Sequence, residues 1–163
     1  LTSRNGDYGK LSPQERRFLQ YAILLETQQV LLYGNLSSEA RKNCQDHLAV
    51  GLEKAMVMEK QHLERLRQEA RRLGVRRTLW TKLGHKFGLL TGRILTNFNP
   101  DVALKTIALI EHKAAGDYSK ARSQASDRRL KELFLANQVD EEFHAAWAEK
   151  MLRLKNKEEP IAT

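Results

Sequence analysis

Two short stretches, Glu59-Lys60-Gln61-His62 and Glu141-Glu142-Phe143-His144, share the pattern Glu-x-x-His. Residues three apart lie on one face of a helix, so each motif aims a carboxylate and an imidazole in the same direction. One such motif says little in a chain with 14 glutamates and five histidines. Here each has a matching upstream partner. Glu26 precedes Glu59 by 33 residues and Glu111 precedes Glu141 by 30, and both lie in apolar runs. The chain reads as one helical hairpin made twice. The remaining histidines, His47, His85 and His112, have no glutamate three residues earlier.

One glutamate from each of two helices plus Glu-x-x-His from each of two others is the ligand set of di-iron and di-manganese carboxylate bundles. The expected fold is therefore all-α, a ferritin-like antiparallel four-helix bundle with an additional amphipathic crossover helix between the two hairpins. Four buried carboxylates without a counter-charge are costly, and two ferrous ions balance them. On this plan Glu59 and Glu141 bridge the ions. Glu26 and Glu111 each ligate one ion, and His62 and His144 complete one ion each. A closed six-ligand set exceeds the usual four-coordinate zinc site; manganese stays open beside iron. Glu142 is expected in solvent. Tyr33 and Tyr118 each follow a single glutamate by seven residues, two turns along the same face, which suits either core packing or a redox or substrate role.

The chain's 163 residues suffice for one domain with a full core. Cys44 is its single cysteine, so there is no internal disulfide framework, and a reducing compartment is expected. No run of 18 apolar residues occurs and no signal peptide is read, so no spanning helix is expected. The net charge of +8 points to an anionic partner, either a membrane surface or a nucleic acid.

Residues 1–11 read as a flexible lead and residues 12–154 as the bundle. Residues 155–163 read as a loose polar tail. Ser12-Pro13-Gln14-Glu15 is a capping box with proline at the first helical position. Gly34-Asn35 and Ser37-Ser38 resemble a turn. If Glu26 and Glu59 lie at one height on antiparallel helices, however, the turn belongs near Asn43. The spacing thus predicts a first helix running to about Arg41, with Asn43 capping the second, which ends at Gly74. Segment 78–97 carries Leu79, Trp80, Leu83, Phe87, Leu90 and Ile94 at helical spacing, flanked by basic residues and lined by Gly84, Gly88 and Gly92. It reads as the crossover helix, packed on the bundle or lying on a membrane surface. Asn99-Pro100 starts the next helix, to about Ser123. Val102, Ile107, Ile110, Ala114 and Ala115 are available to its inner side. The last helix runs from Asp127 to about Leu154.

With these residues in place the chain resembles the demethoxyubiquinone hydroxylases, di-iron monooxygenases of ubiquinone biosynthesis. The resemblance covers about residues 18–152. It rests on Glu26 with Tyr33, Glu59-Lys60-Gln61-His62-Leu63, the glycine-spaced Leu79–Leu95 segment, Glu111 with Tyr118, and Glu141-x-x-His144. It implies two iron ions that activate O2 to hydroxylate the quinone ring of a polyprenyl precursor, with NADH as reductant. It also implies a peripheral location on the cytoplasmic or matrix side of a membrane, docked through the basic segment 76–97. A lipid-binding partner protein of the ubiquinone pathway and a homodimer are partners it allows. No DNA is expected, and RNA ranks below a membrane. Two alternatives stand beside this reading. One is a di-iron hydroxylase of another substrate, such as a modified tRNA base. The other is a non-catalytic ferritin-like metal-binding protein. A rubrerythrin-like role is disfavoured, because one cysteine cannot build a cysteine-ligated iron.

Overall fold

The computed structural model describes residues 11–75 and 99–158. Within them the chain is helical, with no strand. Four helices follow one another: α1 (Pro13–Lys42), α2 (Asp46–Arg72), α3 (Pro100–Gln124) and α4 (Arg128–Glu158). Short turns fold α1 against α2 and α3 against α4, and these pairs make the most extensive packing. The hairpins meet through narrower α1–α3 and α2–α4 seams. The crossover helix expected at 78–97 lies outside the described residues, as does the basic segment 76–97 and most of the 1–11 lead. Leu11, assigned to that lead, is buried against the core.

α1 starts as its sequence requires. The Ser12 hydroxyl accepts from the Glu15 N–H, and the Glu15 carboxylate accepts from the Ser12 N–H, closing the capping box. The helix then passes through Gly34 and reaches Lys42. Burial of Leu32, Tyr33, Leu36 and Ala40 outweighs the roughly 1 kcal/mol that glycine costs a helix interior. The expectation for Asn43 is corrected. Asn43 ends α1 rather than starting α2, and its side chain donates to the Glu39 carbonyl. The N-cap of α2 is Gln45, without a side-chain cap bond. The reason is the form of the turn. Gln45 N–H donates to Ala40 O at 2.9 Å and Cys44 N–H to Arg41 O at 3.0 Å, a Schellman closure that uses up Asn43 and Cys44. Cys44 takes φ 56°, the left-handed conformation that glycine usually fills. α2 closes the same way with Gly74 at φ 64° and Val75 N–H bonded to Ala70 O.

Asn99 caps α3 by accepting from the Asp101 and Val102 N–H groups. Asp127 Oδ1 accepts from Leu130 N–H at the start of α4. Two expectations for these helices need correction. Val102 is 49% exposed, because Ala103 and Leu104 take the inward face of that turn. The segment 155–158 is helical, a continuation of α4 in which Lys155 pairs with Asp101 at 2.7 Å.

The core falls into two apolar clusters. One gathers Leu19, Ala22, Ile23, Leu63, Leu66, Tyr118, Leu130 and Phe134. The other gathers Leu32, Leu36, Leu48, Leu52, Leu104, Ile107 and Ala148. On every helix the candidate ligands lie between a residue of one cluster and a residue of the other. The bundle is thus apolar at two levels and polar in a layer between them. In the α2–α4 seam the Trp147 ring lies over Gly51. A Cβ at Gly51 would come within 2.3 Å of it, so a larger residue there requires the ring to move.

Candidate metal centre

The structure brings all six expected ligands together in that middle layer. Glu26, Glu59, His62, Glu111, Glu141 and His144 are each at most 2% exposed. Their ligating atoms form two overlapping groups. Glu26, Glu59, His62 and Glu141 make one, and Glu59, Glu111, Glu141 and His144 make the other, with the atoms of each group within 4.8 Å of one another. Glu59 and Glu141, the glutamates of the two Glu-x-x-His motifs, belong to both. Helical periodicity explains the convergence. Within each motif the two residues share a face, and each hairpin turn sets its single glutamate at the height of its partner motif.

The donor atoms face one another rather than pairing. His62 Nδ1 lies 3.3 Å from Glu59 Oε2 and 3.5 Å from both Glu26 Oε2 and Glu141 Oε1. His144 Nδ1 lies 2.8 Å from Glu59 Oε1, but without hydrogen-bond alignment. Both Nδ1 atoms, both Glu59 oxygens, Glu26 Oε2 and Glu141 Oε1 are buried without a hydrogen-bond partner. Buried polar atoms normally find partners. A cluster of carboxylate and imidazole atoms left open toward a common centre fits a metal ion. The buried clusters can therefore hold a metal ion.

Without a metal, burial and the neighbouring groups push these residues in different directions. Burial pushes the carboxyl groups of Glu26 and Glu111 well above the usual range. It pushes Glu59 and Glu141 up as well, yet other contacts carry both below the ordinary value: His144 and His62 at Glu59, and Glu111, His144 and His62 at Glu141. Burial disfavours the charged imidazoles, but the surrounding carboxylates dominate. His62 is raised strongly by Glu141, Glu26 and Glu59, and His144 is raised to about 11 by Glu111, Glu141 and Glu59. These shifts favour the charged forms of Glu59, Glu141, His62 and His144 and the neutral forms of Glu26 and Glu111.

The two tyrosines cross between the hairpins. Tyr33 on α1 donates to Glu111 Oε1 at 2.8 Å, and Tyr118 on α3 donates to Glu26 Oε1. Burial raises both phenols well above their ordinary value, so they remain protonated donors. Three further contacts break the two-fold pattern. Asp140 Oδ2 lies 2.9 Å from His62 Nε2. The corresponding residue of the other motif is Met58, and His144 Nε2 is buried without a partner. Gln29 Nε2 donates to Glu111 Oε2 at 2.9 Å and lies 3.4 Å from Glu141 Oε2. Asn137 Nδ2 donates to the Tyr118 hydroxyl at 3.1 Å. No spacing in the sequence pointed to the partners of Gln29 and Asn137. Asp140 was missed; its one signal was an acid directly preceding a Glu-x-x-His motif. Glu142 is exposed as expected, bonded to Gln138. His112 pairs with Glu149 on the surface.

No protein-family model, curated protein or solved structure matches the chain. No helix among the described residues is long and apolar enough to cross a membrane.

Proposed function

We propose that this protein is a ferritin-like di-iron monooxygenase that hydroxylates the ring of a demethoxyubiquinone-like intermediate of ubiquinone biosynthesis, with NADH as the ultimate reductant. The observation that carries the metal reading is the pair of overlapping ligand groups sharing Glu59 and Glu141. Two shared carboxylates and one imidazole on each side suit a closely spaced pair of ions. Glu26, His62, Glu111 and His144 would hold the outer positions. When bound, a reduced iron pair supplies two electrons toward dioxygen. The protein's own part is to keep the cluster dry and positioned. Tyr33 and Tyr118 hold Glu111 and Glu26 by hydrogen bonds, and Asp140 fixes the orientation of His62. The apolar clusters on either side exclude water. The quinone substrate and a peripheral membrane location rest on the family resemblance, and membrane docking would fall to the basic segment 76–97.

The test is metal content and the visible spectrum of protein loaded with ferrous iron and then exposed to oxygen. Two irons per chain, lost in Glu59→Ala and His144→Ala, support the centre. Ring hydroxylation dependent on NADH and O2 then supports the reaction. Absence of iron from a folded wild-type chain overturns both. A second reading, hydroxylation of a modified tRNA base, draws on the +8 charge and on exposed Arg17, Lys113 and Lys120 beside the α1–α3 seam. Salt-sensitive RNA retention without liposome binding would favour it.

A further inference from the structure

The two halves of the centre carry the same ligand types in unequal surroundings. Glu26 and His62 belong to one half, Glu111 and His144 to the other, and Glu59 and Glu141 to both. The single glutamates differ first. Glu26 accepts one hydrogen bond, from Tyr118 at Oε1, and its Oε2 is buried without a partner. Glu111 accepts two, from Tyr33 at Oε1 (2.8 Å) and from Gln29 Nε2 at Oε2 (2.9 Å). Gln29 has no counterpart in the other hairpin, because the residue three after Glu111 is Ala114. Glu26 thus offers an open oxygen, whereas an ion at Glu111 must share or displace a hydrogen bond.

The shared Glu141 is uneven in the same sense. Its Oε1, 3.5 Å from His62 Nδ1, is buried without a partner, while its Oε2, 3.7 Å from His144 Nδ1, lies 3.4 Å from Gln29 Nε2. The imidazoles differ last. His62 Nε2 lies 2.9 Å from Asp140 Oδ2, which is itself 3.7 Å from Arg65. Among the described residues, His144 Nε2 is buried without a partner. A carboxylate at the far ring nitrogen fixes the tautomer that leaves Nδ1 free to ligate, and it raises the basicity of that nitrogen.

We infer that the centre fills in order: the Glu26–His62 half takes the first ion, and it binds at least about tenfold more tightly than the Glu111–His144 half. Asp140 is the positioning residue of the tight half, acting through His62. The inference rests on the metal reading above and deepens it, making the pair one firmly held ion and one exchangeable ion.

The test is titration of the full chain, after chelator treatment, with manganous ion counted by electron paramagnetic resonance. Glu26→Gln and Glu111→Gln each disable one half, so each variant reads the other half without repulsion from a second ion. Glu111→Gln is expected to keep the first Kd of the wild type, and Glu26→Gln to bind its ion at least about tenfold more weakly. Asp140→Asn, nearly unchanged in shape, should weaken the ion of Glu111→Gln by about 10–100-fold and leave that of Glu26→Gln unchanged. A merely structural role for Asp140 would weaken both. Equal affinities in the two glutamine variants, the reverse order, or an Asp140→Asn effect alike on both backgrounds overturns the inference. Where Asp140→Asn fails to fold, the glutamine pair decides. Two ions bound with equal or reversed halves sink the order alone, whereas no ion bound by folded wild type sinks the metal centre and the order with it.

Discussion

Glu15 shows how one carboxylate can join distant parts of a bundle. It closes the α1 capping box, and its Oε1 also accepts from the Ser126 N–H at 2.6 Å and hydroxyl at 2.8 Å, in the α3–α4 turn. Burial opposes its charge, but these bonds and those from Ser12 hold its pKa at about 2, below the ordinary 4.5. A depressed carboxyl contributes stability that is complete above the ordinary value and is lost as pH falls through about 2. Glu15→Gln should cost on the order of 2 kcal/mol at pH 7, and its deficit should shrink between pH 5 and 2. Urea unfolding of both proteins across that range measures it, and a constant deficit contradicts the assignment. His144 has the opposite sign. Its pKa, raised to about 11, means that the metal-free imidazole carries a proton at neutral pH. A metal must displace that proton, so affinity should weaken as pH falls, by up to about tenfold per unit for each proton released. Calorimetric titration with a divalent metal in buffers of different ionisation enthalpy counts the protons, and none released would refute the charge state.

At the scale of elements, the hairpin turns decide where the ligand residues meet. The α1–α2 turn places Cys44 in the left-handed region at φ 56°, which burdens a side chain and suits glycine. Cys44 is an exposed free thiol. Cys44→Gly is expected to stabilise the protein by about 0.5–1 kcal/mol, the strain relief exceeding the added freedom of the unfolded chain. A rise of a few degrees in Tm checks this, and a fall would show that the thiol has packing of its own. The extent of α1 was legible despite Gly34, because the heights of Glu26 and Glu59 set the turn near Asn43. The turn's form was not. Asparagine, aspartate and glutamine all offer plausible caps there, and the choice depends on which carbonyls of α1 remain unpaired once the helices are docked.

For the whole molecule, the central question is what a charged layer between two apolar clusters does to stability. In the metal-free layer burial pushes the Glu26 and Glu111 carboxyls well above the usual range, which favours their neutral form. Glu26→Gln replaces a neutral acid by a neutral amide and keeps an acceptor for the Tyr118 hydroxyl. The metal-free Tm is therefore expected to stay within about 2 °C of wild type, since the change removes no charge pair. A metal ion should stabilise the wild type by mass action, by about 2.7 kcal/mol at a hundredfold excess over Kd, and so raise its Tm. That gain should be reduced in Glu26→Gln. Scanning calorimetry with and without ferrous or manganous ion reads both effects. No metal-induced rise in the wild type would make the six residues a purely structural layer.

The sequence by itself determined the all-helical class, the pairing of helices into two hairpins and the six residues of the layer. These follow from helical periodicity and chain length, which are local properties. Tertiary structure alone decided the cross-hairpin bonds: Tyr33 to Glu111, Tyr118 to Glu26, Gln29 to Glu111 and Asp140 to His62. It also decided which carboxyls burial pushes upward. A face can be read from residues three and seven apart, but a partner on another helix depends on its axial height and rotation. Those are set jointly by the turns and by contacts such as Trp147 on Gly51, and no spacing within one helix records them.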